Sequence, residues 1–181
     1  MDNLGSKTLI RNIANKLTIS TYNTNDKTVG AYLDYICKSF LFYPLTRYDI
    51  KGKKYLKSDK NYTLVDTSFR YTTKGSKDTE YGHLYENIVA IELLRGEYEV
   101  YVGVMRDKEV DFVLKHGYKT YIQVSDDISK EETFKREGTP LLVIKDAYPK
   151  ILIARIKHSK FSYEGIKIID IAEFLSNSQI Y

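Results

Sequence analysis

The sequence predicts a mixed α/β fold, α+β overall, and three observations carry that expectation. Apolar residues near the start recur at helical spacing. Two pairs of β-leaning runs flank turn-forming centres at Gly52 and Gly117. The later runs "PLLVIK" and "KILIARI" are almost wholly apolar, as strands covered on both faces would be.

In order along the chain, "SKTLIRNIANKL" places Leu9, Ile10, Ile13 and Leu17 on one helical face, with Ser6 available as a cap. A second helix over "DKTVGAYLDYICKSF" offers Asp26 as its cap and a stripe of Val29, Tyr32, Leu33, Ile36, Cys37 and Phe40, with Pro44 ending any continuation. The runs around "DIKGKK" read as a hairpin with its loop in solvent, so helix, turn, helix, hairpin gives a winged-helix-like order. The polar stretch "TTKGSKDTE" suggests a boundary near residue 78, dividing a winged-helix-like part, 1–78, from a second part, 79–181. The second part opens with a helix over "EYGHLYENIVAIELLRG" that ends at Gly96. A strand "YEVYVGVM" and a hairpin of "EVDFVLK" with "KTYIQVS" follow. A helix "SKEETFKRE" capped by Ser129, strands "PLLVIK" and "KILIARI", and a strand running into a helix over "GIKIIDIAEFL" complete it.

Composition narrows the class. With 181 residues and 43% hydrophobic content the chain can bury one core or two small ones. Its start, "MDNLGSKTLIRN", lacks the basic and apolar regions of a secretory leader, and no run is long and apolar enough to span a bilayer. The expectation is a cytoplasmic protein with no membrane partner. A single cysteine, Cys37, excludes an internal disulfide or a multi-thiolate zinc site and fits a buried hydrophobe. The net charge of +4 is unevenly spread, since residues 1–78 carry fourteen Lys and Arg against seven Asp and Glu. A basic half of that kind suits nucleic acid or an acidic partner.

The chemistry concentrates in the second part. Glu86 lies in a helix, Asp111 in the first hairpin strand, and Gln123 and Ser125 in the second, all among apolar neighbours. Alternation sends Val110, Phe112 and Leu114 to one face and Asp111 to the other, while Gln123 and Ser125 share a face opposite Val124. A helical carboxylate, a strand carboxylate, and a third ligand with a partner two residues on is the layout of a PD-(D/E)XK nuclease core, here a mixed sheet flanked by helices. Such a core holds Mg²⁺ or Mn²⁺ on hard oxygens, the metal activates water, and a lysine in the last motif positions it. Here the expected E-x-K reads "QVS". Glu86, Asp111 and Gln123 are the candidate metal ligands, but Gln123 brings no charge and Ser125 no cation. The following Asp126 and Asp127 suit a helix cap, and His83 a structural role.

The blocks "RYDIKGKKYLK", "VDTS", "GHLYENIVAIELLR", "YEVYVG", "KEVDFV", "YIQVS", "EETFKRE", "PLLVIKDAYPK" and "GIKIIDIAEFL" together resemble the C-terminal domain of unknown function that follows the ATPase domain in many bacterial and archaeal AAA-type ATPases. The resemblance runs from about residue 6 to residue 175. It implies a winged helix joined to a PD-(D/E)XK-like fold, in which Gln commonly replaces the motif's Glu. It also implies an ATPase domain as partner, N-terminal to this region. ATP would bind only there, because "TTKGSK" is not a phosphate-binding G-x-x-x-x-G-K-[ST] loop. The chain is then a C-terminal fragment or a free-standing relative. Ser68 stands where that family usually has glycine after "DT", which bears on the local turn.

Two functions follow as expectations. The first is a non-catalytic module that binds DNA or a protein partner for an ATPase, using the basic hairpin residues Arg47, Lys51, Lys53, Lys54 and Lys57 with tyrosines among them. The second is a divalent-metal-dependent DNA endonuclease with a variant Glu, Asp and Gln site. A domain that serves assembly alone is a third. The loss of the motif's lysine and carboxylate favours binding over catalysis.

Overall fold

A computed structural model describes residues 9–19, 24–69, 72, 81–96, 98–106, 108–156 and 161–177. Its elements are α1 (Leu9–Ile19), α2 (Asp26–Lys38), β1 (Phe42–Asp49), β2 (Lys54–Leu64), α3 (Tyr81–Arg95), β3 (Glu99–Met105), β4 (Lys108–His116), β5 (Tyr118–Ser125), α4 (Glu131–Val143), β6 (Lys150–Ala154), β7 (Phe161–Tyr163), β8 (Ile166–Asp170) and α5 (Ile171–Ser176). The mixed α/β expectation is met. Eight strands form one sheet in the order β2-β1-β3-β4-β5-β6-β8-β7.

The N-terminal order of two helices and a hairpin is present, but the hairpin does not stand apart. β1 pairs antiparallel with β2 on one side and parallel with β3 on the other, so residues before and after position 78 share one sheet. Position 78 itself lies outside the described residues. Pro44 sits inside β1, not at the end of a helix, at a point where only β2 is a partner, because pairing with β3 begins at Thr46. α1 and α2 pack Ala14, Val29 and Leu33 against Phe42, Tyr62 and Leu64 of the hairpin. Tyr32 and Phe40, expected in this stripe, are exposed. Cys37 is half-buried against the cluster, and burial pushes its thiol up, away from the nucleophilic thiolate.

Both sheet faces are buried over the central strands. On one face α3 and α5 pack Val89, Ala90, Leu93 and Phe174 on Val102, Phe112, Ile122 and Ile153. On the other α4 packs Leu141 with Tyr48, Val113, Tyr121, Leu152 and Ile168. This double cover explains why β6 and β8 read as apolar runs.

Four local expectations need correction. Asn25, not Asp26, caps α2, its side chain accepting from the Thr28 amide at 3.0 Å. Lys130, not Ser129, occupies the N-cap of α4 and makes no side-chain cap bond; the Ser129 hydroxyl donates to Asp127 at 2.8 Å. "PLLVIK" is no strand: α4 continues through Pro140 to Val143. Leu141 and Ile144, three apart, reach the core while Leu142 and Val143 face out, a helical pattern too short for sequence period to separate from a strand. Finally, Val110 does not share a face with Phe112 and Leu114. Tyr101 pairs with Val113 and Gly103 with Val110, so two steps on β3 meet three on β4, and this bulge resets the alternation.

Gly103 faces the bulge. A Cβ there would come within 2.8 Å of Val113 Cγ2, 2.9 Å of Ile50 Cδ1 and 3.1 Å of Val110 Cβ. Gly103→Ala is therefore expected to destabilise the fold by about 1–3 kcal/mol through overpacking, read as a lower urea midpoint at unchanged slope.

Candidate functional site

Register defines where the candidate residues lie. β1, β3, β5, β6 and β8 run in one direction, so their carboxyl ends share one edge of the sheet. Open α/β sheets bind ligands at that edge. Gln123 and Ser125 stand at the end of β5, Asp111 near the start of the antiparallel β4, and the β1–β2 turn with Lys51 and Lys53 lies at the same edge.

The β4–β5 ladder ends at the Phe112–Ile122 pair. Beyond it the Asp111 carboxylate, displaced by the bulge, accepts from the Val124 amide at 2.7 Å. That side chain takes the place of a strand partner. Burial, and next the negative charge of Glu86, push Asp111 well above the ordinary carboxylate range; Glu137 and Glu109 push the same way, against the Val124 bond. Glu86 of α3 thus bears electrostatically on Asp111 of β4. Glu86 also receives His83, whose Nδ1 lies 3.2 Å from Glu86 Oε2.

Gln123 is 7% exposed and faces α4, where its Nε2 donates to Glu137 Oε2 at 3.4 Å. Its Oε1 is buried with no hydrogen-bond partner. Glu137, which sequence reading passed over, joins the group from the helix, held by Arg136 at 2.8 Å. Its only signal was a carboxylate one helix beyond the "QVS" strand. Ser125 is buried and its hydroxyl donates to the Asp127 carbonyl at 3.4 Å, so it supplies no cation. Asp127 accepts from the Ser129 amide ahead of α4, and Asp126 lies 3.5 Å from the Arg155 guanidinium.

Two carboxylates and an amide oxygen lacking a donor are hard oxygen donors of the kind Mg²⁺ or Mn²⁺ accepts, so the donor chemistry fits such an ion. Among the described residues no three His, Cys, Asp or Glu side chains come together to enclose one. An ion here would rest on Glu86, Asp111 and Gln123 Oε1 at most, with water and phosphate completing its shell.

The basic hairpin divides in two. Arg47 is no surface cation: its side chain is 0% exposed, and its guanidinium binds Glu109 and donates to Asn61 at 3.1 Å. It lies on a strand paired on both sides, with its side chain packed inward. Lys51, Lys53 and Lys54 are exposed, and Lys53 adopts a positive φ of 51° in the turn. The side chain of Lys57 lies outside those described.

An uncharacterized protein of Haemophilus influenzae is 39% identical to this chain over 175 residues, which are 96% of this chain and 43% of that protein. The chain therefore spans less than half the length of this relative. No family model and no solved structure matches it.

The raised Asp111 value has a definite sign for stability. A carboxyl that holds its proton more tightly when folded gives its full contribution below the ordinary carboxylate range, and loses it as pH rises through the raised value. Asp111→Asn, which keeps an oxygen for the Val124 amide, is expected to melt higher than the native chain at about pH 8, with the gap closing toward about pH 4. Thermal melts across that range check it.

Proposed function

We propose that this chain is a nucleic-acid-binding module on a degenerate PD-(D/E)XK nuclease-like sheet, serving an AAA-type ATPase domain. One observation carries the reading: strand register sets the exposed Lys51 and Lys53 turn at the same edge of the sheet as Asp111 and Gln123. A phosphate backbone held by the lysines would lie at that edge, and counterion release from the phosphates would drive its binding. Catalysis is disfavoured by what surrounds Asp111. Its carboxyl is half-buried and tied to an amide, Ser125 stands where the lysine would be, and the nearby Arg136 and Arg155 are engaged by Glu137 and Asp126.

The ATPase partner is supported by the sequence resemblance. The Haemophilus relative is in keeping with it, since more than half of that protein lies outside the shared region. A cytoplasmic location goes with both partners, and among the described residues no helix is long and apolar enough to cross a membrane.

A second reading, a metal-dependent nuclease, is favoured by the orphaned Gln123 Oε1. In it Glu86, Asp111 and Gln123 hold Mg²⁺ or Mn²⁺, which would supply a Lewis acid for a phosphate and an activated water.

Fluorescence anisotropy with duplex DNA tests the first reading. Binding is expected to weaken steeply with salt, and Lys53→Glu with Lys54→Glu to weaken it by about tenfold or more. A chain that fails to bind duplex at low salt overturns it. Plasmid incubated with Mg²⁺ or Mn²⁺ is expected to stay intact; cleavage that disappears in Asp111→Ala would establish the nuclease instead.

A further inference from the structure

A second surface lies away from the sheet edge. On the face that α4 covers over β4, β5, β6 and β8, the part over β2, β1 and β3 carries a strip of tyrosines. Tyr48 and Tyr55 are paired across β1 and β2, their rings 5.6 Å apart and inclined at 61°. Tyr101 of β3 lies 5.1 Å from Tyr55 at 45°. Tyr48 is buried and forms the floor, whereas Tyr55 is 46% exposed. The rings form a stepped platform open to solvent.

Two ammonium groups sit over this platform. Lys115 Nζ is 4.5, 4.4 and 5.3 Å from the Tyr48, Tyr55 and Tyr101 centroids, and it donates to the Tyr55 hydroxyl at 2.6 Å. Lys119 Nζ is 5.1 Å from the Tyr48 ring and 5.5 Å from that of Tyr148. The neighbouring acids are engaged by tyrosine hydroxyls: Tyr101 of the platform donates to Glu99 at 3.2 Å, and Tyr121 to Asp146 at 2.6 Å. The strip thus offers aromatic faces and positive charge together.

We infer that this strip binds single-stranded nucleic acid, bases stacking on Tyr55 and Tyr101 while Lys115 and Lys119 meet phosphates. Every base has a π-face that an aromatic ring can take, and cations along the path track the backbone. A duplex hides those faces, so the platform selects single strands. On binding, each lysine exchanges its ring contacts for a phosphate, and the vacated ring surface receives a base. The inference rests on the reading of the chain as a nucleic-acid binder, and it adds a strand preference and a surface separate from the Lys51 and Lys53 turn.

The test is anisotropy with labelled oligo-dT of about 16 nucleotides, beside a duplex of equal length. Oligo-dT is expected to bind, Tyr55→Ala to weaken it by about tenfold, and Tyr55→Phe to leave it within about twofold, since the ring is kept. Duplex affinity should be unmoved by either substitution. Lys119→Gln, a surface change that leaves the ring cluster in place, should lower the salt slope for oligo-dT by about 0.7. Duplex binding without oligo-dT binding overturns this inference and leaves the proposed function standing. Oligo-dT affinity untouched by both Tyr55→Ala and Lys119→Gln also overturns it. Failure to bind either DNA overturns both.

Discussion

The candidate site depends on one hydrogen bond, from the Val124 amide to the Asp111 carboxylate. At that point β4 has left its ladder with β5, so Val124 would otherwise be a buried strand amide lacking a partner on that side. The bulge opposite Gly103 turns Asp111 toward it. Strand separation gives the edge its opening, and the same separation requires a polar side chain to close the backbone account. A structural demand and a possible chemical role therefore fall on the same carboxyl, which is why the residue type alone does not separate binding from catalysis.

Electrostatics then argue about what that carboxyl can do. Glu86, Glu137 and Glu109 all raise the free energy of an ionised Asp111, and burial adds to them. A bound divalent cation would reverse the balance, whereas a bare phosphate would worsen it. Nucleic acid can pass this edge without a metal only if its backbone is held by the exposed lysines and kept off the acidic cluster. The buried Arg47 does not help, because Glu109 and Asn61 engage its guanidinium.

Much of this was legible in the sequence. The helix holding Glu86 and the hairpin holding Asp111 and Gln123 are written in long apolar patterns, and strand alternation correctly set Gln123 opposite Val124. What escaped was everything that depends on register between distant segments. The bulge that parts Val110 from Phe112 arises from pairing with β3, which no local pattern announces. Arg47 read as a wing cation because Lys51, Lys53 and Lys54 follow it, while it is buried on β1 between β2 and β3, with Asn61 and Glu109 taking its guanidinium. Glu137 looked like one more charge on an amphipathic helix until α4 was seated over β5. Pro140 masked the last turn of that helix, since a proline before an apolar run ordinarily marks a boundary.

The tyrosines of β1, β2 and β3 acquire a reason from the same topology. A phenol hydroxyl needs water or a partner, and α4 is seated mainly over β4, β5, β6 and β8, which leaves Tyr55 of β2 and Tyr101 of β3 at the margin of that cover. Tyr55 and Tyr101 fit that half-open position, while Tyr48 beneath them is buried in the core. Tyr55 follows Lys54 directly, so the platform begins where the basic turn ends. Tyr55 is therefore where the two surfaces adjoin, the lysines at the sheet edge and the rings on its face.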